Sequence, residues 1–230
     1  MPSTSLVNVA AQLESNSSRD RLLALVSLRD VPAEDAVPLI LKVIDDENTQ
    51  IRSMAVFALG IKPTEACFPI LVKILGTESD YGIRAAAAGA LGYLSDPRGL
   101  EPLLRAFYED GEWLVRFSAA VSMGNLRDPR AFEALIGALS SEETMLHQAA
   151  IAALGEIGDV RACKHILKFV QSNDWLSRQR LAEALGNLPT AKSLSALNYL
   201  AKDEHSQVAA AAEFSRDRLL QYVLQHGDLT

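Results

Sequence analysis

The chain has 230 residues, 49% hydrophobic and 22% charged, and 29 Asp and Glu against 22 Lys and Arg leave a formal net charge of −7. Such a composition is ordinary for a soluble protein, and an acidic balance disfavours duplex nucleic acid, whose binding rests on neutralising phosphates. No run approaches the roughly 18 consecutive apolar residues of a membrane helix, and the start lacks the basic segment and long apolar core of a secretory signal. A cytoplasmic protein with no membrane insertion and no nucleic-acid partner is expected.

In chain order, residues 1–3 are expected to fray. Residues 4–15 and 18–29 read as an irregular first helix pair, with Asn16, Ser17 and Ser18 supplying the turn and an N-cap before Arg19. From Ala33 onward the chain repeats itself. Gly92, Asp96, Pro97 and Arg98 return as Gly124, Asp128, Pro129 and Arg130, and Ile83 and Arg84 return as Val115 and Arg116, all at a shift of 32 residues (124 − 92). A fixed period of this size marks a solenoid. One row of the repeat holds Gly60, Gly92, Gly124, Gly155 and Gly186; eight residues before it lies a second row of Arg21, Arg52, Arg84, Arg116, His147 and Arg178.

Each unit reads as a first helix (A), a turn and a second helix (B) ending at the glycine row. The A helices are expected over 34–45, 64–76, 97–109, 129–140, 160–171 and 191–202, and the B helices over 49–60, 80–93, 112–125, 143–156, 174–187 and 206–225. Asp96 before Pro97 and Asp128 before Pro129 place a capping acceptor before proline at the first helical position. Leu100, Leu103, Leu104 and Phe107 fall on one helical face, and the alanine runs of the B helices are strong helix formers. The fold expected is all-α, an α-solenoid of about seven helix pairs with a 31–32-residue repeat. It forms a single domain over 1–230, with an N-terminal cap pair over 1–30, regular repeats over 31–190 and a C-terminal cap pair over 191–230. Cys67 and Cys163 occupy a core row three repeats apart, so they are expected buried and unpaired.

The four histidines show no metal-ligand spacing, and no phosphate loop or nucleophile elbow is present. No metal site is expected, no catalytic residue is assignable and no cofactor is required. What recurs is a surface row three residues before the arginines: Tyr81 with Arg84, Trp113 with Arg116 and Trp175 with Arg178, on one face of each B helix, with His147 standing in the arginine row. Asp80, Glu112, Glu143 and Asp174 flank it. Two readings stay open. The arginines could pair with acids of the inter-helix turns as a structural ladder, or the row could form a ligand- or partner-binding groove, with rings that stack and guanidinium groups that take carboxylates.

The order Val/Ile-Arg, alanine run, Ala-Leu-Gly, Asp-Pro-Arg resembles HEAT repeats of a shortened kind, best known from the phycobilin lyases. The phrases GIRAAAAGALGYLSDPRGLEPLL and EWLVRFSAAVSMGNLRDPRAFEAL carry the likeness. The resemblance implies a phycobilisome-associated protein that binds phycobiliprotein subunits during phycobilisome degradation or chromophore handling, with an open-chain tetrapyrrole, phycocyanobilin, as candidate ligand. The internal evidence alone, with no catalytic constellation, favours the alternative: a non-catalytic protein–protein adaptor with no ligand.

Overall fold

The computed structural model describes residues 4–227, so the expectation for residues 1–3 lies outside the described residues. Among the described residues the chain forms fourteen α-helices and no strand. They run α1 (Thr4–Leu13), α2 (Ser18–Ser27), α3 (Ala33–Ile40), α4 (Thr49–Ile61), α5 (Cys67–Thr77), α6 (Tyr81–Leu94), α7 (Leu100–Glu109), α8 (Trp113–Leu126), α9 (Phe132–Ala138), α10 (Thr144–Ile157), α11 (Cys163–Ile166), α12 (Trp175–Leu185), α13 (Ala191–Leu200) and α14 (Ser206–His226). Seven A–B pairs result. The chain gathers into two compact units, with the division after Ala119, inside α8. In the first unit α2 packs on α4, α4 on α6 and α5 on α6; in the second α10 packs on α12 and α12 on α14.

The A elements are less regular than their periodicity suggests. Those expected at 97–109, 129–140 and 160–171 each open on a 3-10 turn, Pro97–Gly99, Pro129–Ala131 and Val160–Ala162. In each the preceding aspartate (Asp96, Asp128 or Asp159) accepts from the backbone N–H two residues on, and the arginine there folds back onto the same carboxylate. Two of these guanidinium groups also lie over a ring, Arg98 over Phe68 and Arg161 over Phe132, at 4.5 and 4.7 Å. The third of these A elements keeps only four α-helical residues, between two 3-10 turns.

The B helices overrun the glycine row. α6, α8 and α10 each continue two residues past it, and the left-handed residue that ends each turn is Ser95, Arg127 or Gly158, three positions beyond the row. Only α12 stops at its row glycine, with Gly186 as its C-cap; in α4, α6, α8 and α10 the row glycine lies inside the helix and lets helices touch. A Cβ built on Gly60 would sit 2.7 Å from Ala90 Cα, on Gly124 2.7 Å from Ala153 Cα and on Gly155 2.6 Å from Ala184 Cα. Successive B helices thus meet backbone to backbone, glycine against alanine, and the alanine runs that supply helix propensity also supply the contact surface. Gly186 meets Ser215 of α14 in the same manner. Gly89, inside α6, has open space where its Cβ would be.

The core is the apolar stripe facing between A and B layers, with Leu59, Leu71 and Leu91 fully buried in the first unit and Leu135, Ile151 and Leu181 in the second. Cys67 and Cys163 lie in it as free, buried thiols. Cys67 donates to Lys62 O, 3.3 Å away. No helix among the described residues is long and apolar enough to cross a membrane.

The two kinds of glycine give a matched prediction. Gly124→Ala should destabilise by about 1–3 kcal/mol, because its Cβ overpacks a contact that has no slack. Gly89→Ala should stabilise by about 0.5–1 kcal/mol, since it removes glycine's backbone entropy cost at an open helical site. Chemical denaturation of the two variants checks both signs. The same melts test the single-domain expectation, because two separated transitions would mean that the units unfold independently.

Candidate functional site

The arginine row begins from turn chemistry. Fourteen residues before the glycine row stand Asp46, Glu78, Asp110, Ser141, Ser172 and, in the last pair, Asp203, at steps of 32, 32, 31, 31 and 31. Each side chain accepts from the backbone N–H two residues ahead, closing the A–B turn: Asp46 from Asn48, Glu78 from Asp80, Asp110 from Glu112, Ser141 from Glu143, Ser172 from Asp174 and Asp203 from His205.

Onto this turn each arginine folds. Arg84 Nη1 donates to the carbonyls of Glu78 and Ser79 in its own turn, while Nε and Nη2 form a fork on the carboxylate of Asp110 at 2.8 and 3.0 Å. Arg178 repeats this in the second unit, donating to the Ser172 carbonyl at 2.6 Å and forking onto Asp203 at 2.7 and 2.9 Å. Arg21 does the same with Asp46 and the Ser15 carbonyl. Arg52 and Arg116 each hold two carbonyls of their own turn. The Arg178 and Asp203 side chains are only 11% and 8% exposed. Arg84, Arg178 and Arg21 each tie one turn to the next with every guanidinium nitrogen engaged.

His147 marks where the rung changes. Its Nε2 contacts the Ser141 carbonyl, and its ring tilts against Phe169 at 5.3 Å. The acid that an arginine there would need is replaced by Ser172, which keeps the turn bond and gives up the charge. Gln148, buried beside it, donates to Asp174 at 2.8 Å instead. Arginine and acid are thus lost together, and a neutral amide bridge stands in for the ion pair.

The expected row therefore splits. Its arginines Arg84 and Arg178 are turned inward to the turns. Its aromatics stay outside: Tyr81 is 51% exposed, Trp113 47% and Trp175 38%. Trp113 meets Phe117 edge-on, and Trp175 stacks on His205 with ring centroids 4.2 Å apart. The flanking acids Asp80 and Asp174 cap their own helices; the carboxylates that receive the arginine forks stand two residues before the next cap, at Asp110 and Asp203. Periodicity could have found them, because they hold the glycine register as faithfully as the arginines do. Gln148 breaks the pattern and carries no such signal. Among the described residues no group of His, Cys, Asp and Glu gathers to hold a metal ion.

The Arg84 fork holds the Asp110 carboxyl below the usual carboxylate range against the opposing cost of burial, and Arg178 does the same to Asp203. A carboxylate whose folded pKa is lowered stabilises the fold fully above its unfolded value of about 3.9 and loses that contribution as pH falls through the lowered folded value. Thermal stability should accordingly hold steady above about pH 5 and fall below the unfolded value. Arg178→Ala should cost about 2 kcal/mol at neutral pH, the range for hydrogen bonds to charged groups, and should flatten the acid limb. Melting curves between neutral and acid pH, run on both proteins, check this.

These repeats have known counterparts. The pattern of HEAT repeats matches residues 6–92, 68–145 and 133–215. No curated protein sequence matches the chain. Among solved structures, a chain of the CpcE–CpcF phycocyanin lyase complex from Nostoc sp. PCC7120 superposes with a TM-score of 0.61 at 20% identity, over 95% of this chain and 96% of that one. A chain of the Kap95p–RanGDP structure also reaches 0.61, at 14% identity, over 94% of this chain but 35% of that one. An engineered protein gives 0.57 at 20% identity, covering 95% and 68%. At these identities the likeness shows the fold alone. With the family pattern spanning nearly the whole sequence, the chain belongs to the HEAT-repeat family.

Proposed function

We propose that the chain is a phycobilisome-associated HEAT-repeat scaffold related to the bilin lyases, and that it binds phycobiliprotein subunits during phycobilisome degradation or chromophore handling in the cyanobacterial cytoplasm. The observation that carries this reading is the end-to-end match in length with a phycocyanin lyase chain, 95% one way and 96% the other; the Kap95p match spans a third of a longer solenoid. The sequence phrases around Gly92 and Gly124 add to it, since they resemble the phycobilisome degradation protein NblB.

The site favours protein binding over tetrapyrrole binding. A bilin would bring a conjugated ring system and two propionates. Exposed Tyr81, Trp113 and Trp175 suit the rings, but Arg84 and Arg178 already hold carboxylates of their own. Recognition of the propionates would have to displace an internal fork. Phycocyanobilin is therefore the secondary ligand in this reading, and no reaction is assigned to the chain. The plain adaptor, with no phycobiliprotein partner, is the competing reading, and the inward-turned arginines favour it.

Titration of the pure protein with phycocyanin subunits and, separately, with phycocyanobilin followed by visible absorbance tests the proposal. Trp113→Ala should weaken phycocyanin binding by about 2 kcal/mol, roughly thirtyfold in Kd, as truncation of an interface tryptophan does, with melting temperature unchanged. Absence of phycocyanin binding to the parent protein leaves the adaptor reading.

A further inference from the structure

The A–B turn between α7 and α8 contains a peptide bond that no other turn has. Asp110 is followed by Gly111, and nowhere else in the sequence does glycine follow Asp or Asn. The same position in the other turns holds Glu47, Ser79, Glu142, Asn173 and Glu204. The fold makes no demand for glycine there. Gly111 is exposed, its backbone is outside the left-handed region, and a Cβ built on it would meet nothing.

An aspartate before glycine is open to attack by the next backbone nitrogen, because no side chain shields that nitrogen and the glycine backbone bends freely. Gly111 N bonds to Asp110 Cγ, the carboxyl hydroxyl leaves with the amide proton as water, and a five-membered succinimide closes. Water then reopens the ring. Opening at the main-chain carbonyl leaves Gly111 joined to Asp110 through its side chain, as isoaspartate. One water leaves and one returns, so the sequence of steps needs no oxidant or other reagent.

The geometry of the turn holds the reacting groups apart. Ring closure requires Gly111 N to eclipse Cβ about the Cα–C bond, and the extended backbone at Asp110 (φ −72°, ψ 130°) turns it well away. Arg116 Nη1 donates to the carbonyls of Asp110 and Gly111 at 2.9 and 3.0 Å, which resists rotation of that peptide. Arg84 forks onto the carboxylate at 2.8 and 3.0 Å and the Glu112 N–H donates to it at 3.0 Å, so the side chain is held as well. The fork also keeps the carboxyl below its usual range and therefore ionised, and a carboxylate has no hydroxyl to lose.

We propose that Asp110–Gly111 is the chain's site of aspartate isomerisation, and that Arg84 and Arg116 are positioning residues that hold it unreacted while the rung is closed. Isoaspartate carries one more carbon in the main chain, and its carboxylate leaves the place that Arg84 and the Glu112 N–H reach. Once converted, the turn beneath Trp113 does not re-form, so this rung keeps a record of its own opening. The inference does not depend on which partner the chain binds.

The test ages the full chain at mildly acid pH and counts isoaspartate at Asp110 by peptide mapping, with an isoaspartyl methyltransferase as reporter. The denatured parent should accumulate it, and the native parent should lag by about tenfold or more, since groups held out of attack geometry lose at least that factor. Arg84→Lys keeps the charge but cannot fork, and should speed the native reaction by about tenfold. Arg116→Lys frees the peptide and should speed it likewise, which keeps a second measurement should Arg84→Lys not fold. Arg178→Lys weakens the matching rung of the second unit and should leave the Asp110 rate at the parent's, which separates guarding from general loss of stability. Gly111→Ala shields the nitrogen where there is open space, and should suppress the reaction in native and denatured chains with the melting temperature held or raised. Absence of isoaspartate at Asp110 in the denatured parent overturns the site. A native parent as fast as the denatured chain, or folded Arg84→Lys and Arg116→Lys proteins that age no faster than Arg178→Lys, overturns the guard.

Discussion

The fork of one arginine on the aspartate of the next A–B turn is the interaction on which each unit's regularity depends. A turn between two helices leaves carbonyls without helical partners, and in a solenoid these turns lie side by side at the edge, where no core shields them. Arg84 answers both needs with one side chain: Nη1 takes the carbonyls of its own turn, and the other two nitrogens take the next turn's carboxylate. That carboxylate is in turn fixed by a backbone N–H of its own turn. The planar, five-donor guanidinium makes this possible, and a lysine could not reproduce the geometry. The glycine–alanine contact then sets the distance at which the fork closes, because successive B helices can approach no further once Gly60 meets Ala90 or Gly155 meets Ala184.

The rung at His147 shows that the arrangement can be exchanged as a unit. An arginine at that position would face Ser172 without a charge to meet, and a lone aspartate at 172 would lack the cation that Arg178 gives Asp203. The sequence changes both and adds Gln148 to Asp174. Positions 147 and 172, 25 residues apart (172 − 147), thus differ together from the Arg178 and Asp203 rung.

Much of this was legible in the residues. Period, helix pairing, the aspartate caps and the buried thiols follow from spacing and side-chain chemistry, because every unit restates them. Three things were not. The turns before α6 and α8 each carry two acids two residues apart, Glu78 with Asp80 and Asp110 with Glu112, and only three-dimensional reach decides that Asp110 rather than the cap at Asp80 or Glu112 receives the Arg84 fork. The glycine row reads as a stop signal, since glycine commonly ends helices, yet the backbone turns left-handed at Ser95 and Arg127, residues that advertise nothing. The A helices look as long as their apolar pattern, but the aspartate–arginine caps tighten their first turns into 3-10 geometry. In the candidate site, the pairing of ring and guanidinium on one helical face was legible. That the two would point to different surroundings was not, because three residues apart fixes a face and says nothing of which group is drawn into the turn.

That separation bears on recognition. An arginine that is committed to the fold contributes little free positive charge to the surface, so counting row arginines overstates the attraction for an anionic ligand. What remains accessible beside them is aromatic or acidic: Trp113 next to Glu112, Tyr81 next to Asp80. Rings of this kind, each set on the first turn of a B helix by a rigid turn beneath it, are presented without the entropy cost of ordering a loop. Rigid presentation of that sort suits a protein surface with apolar and cationic groups better than a ligand bearing carboxylates. The structural ladder and the binding surface are therefore not rival readings of the same residues. The ladder uses the arginines, and by using them it decides the chemistry of the surface that the aromatics are left to form.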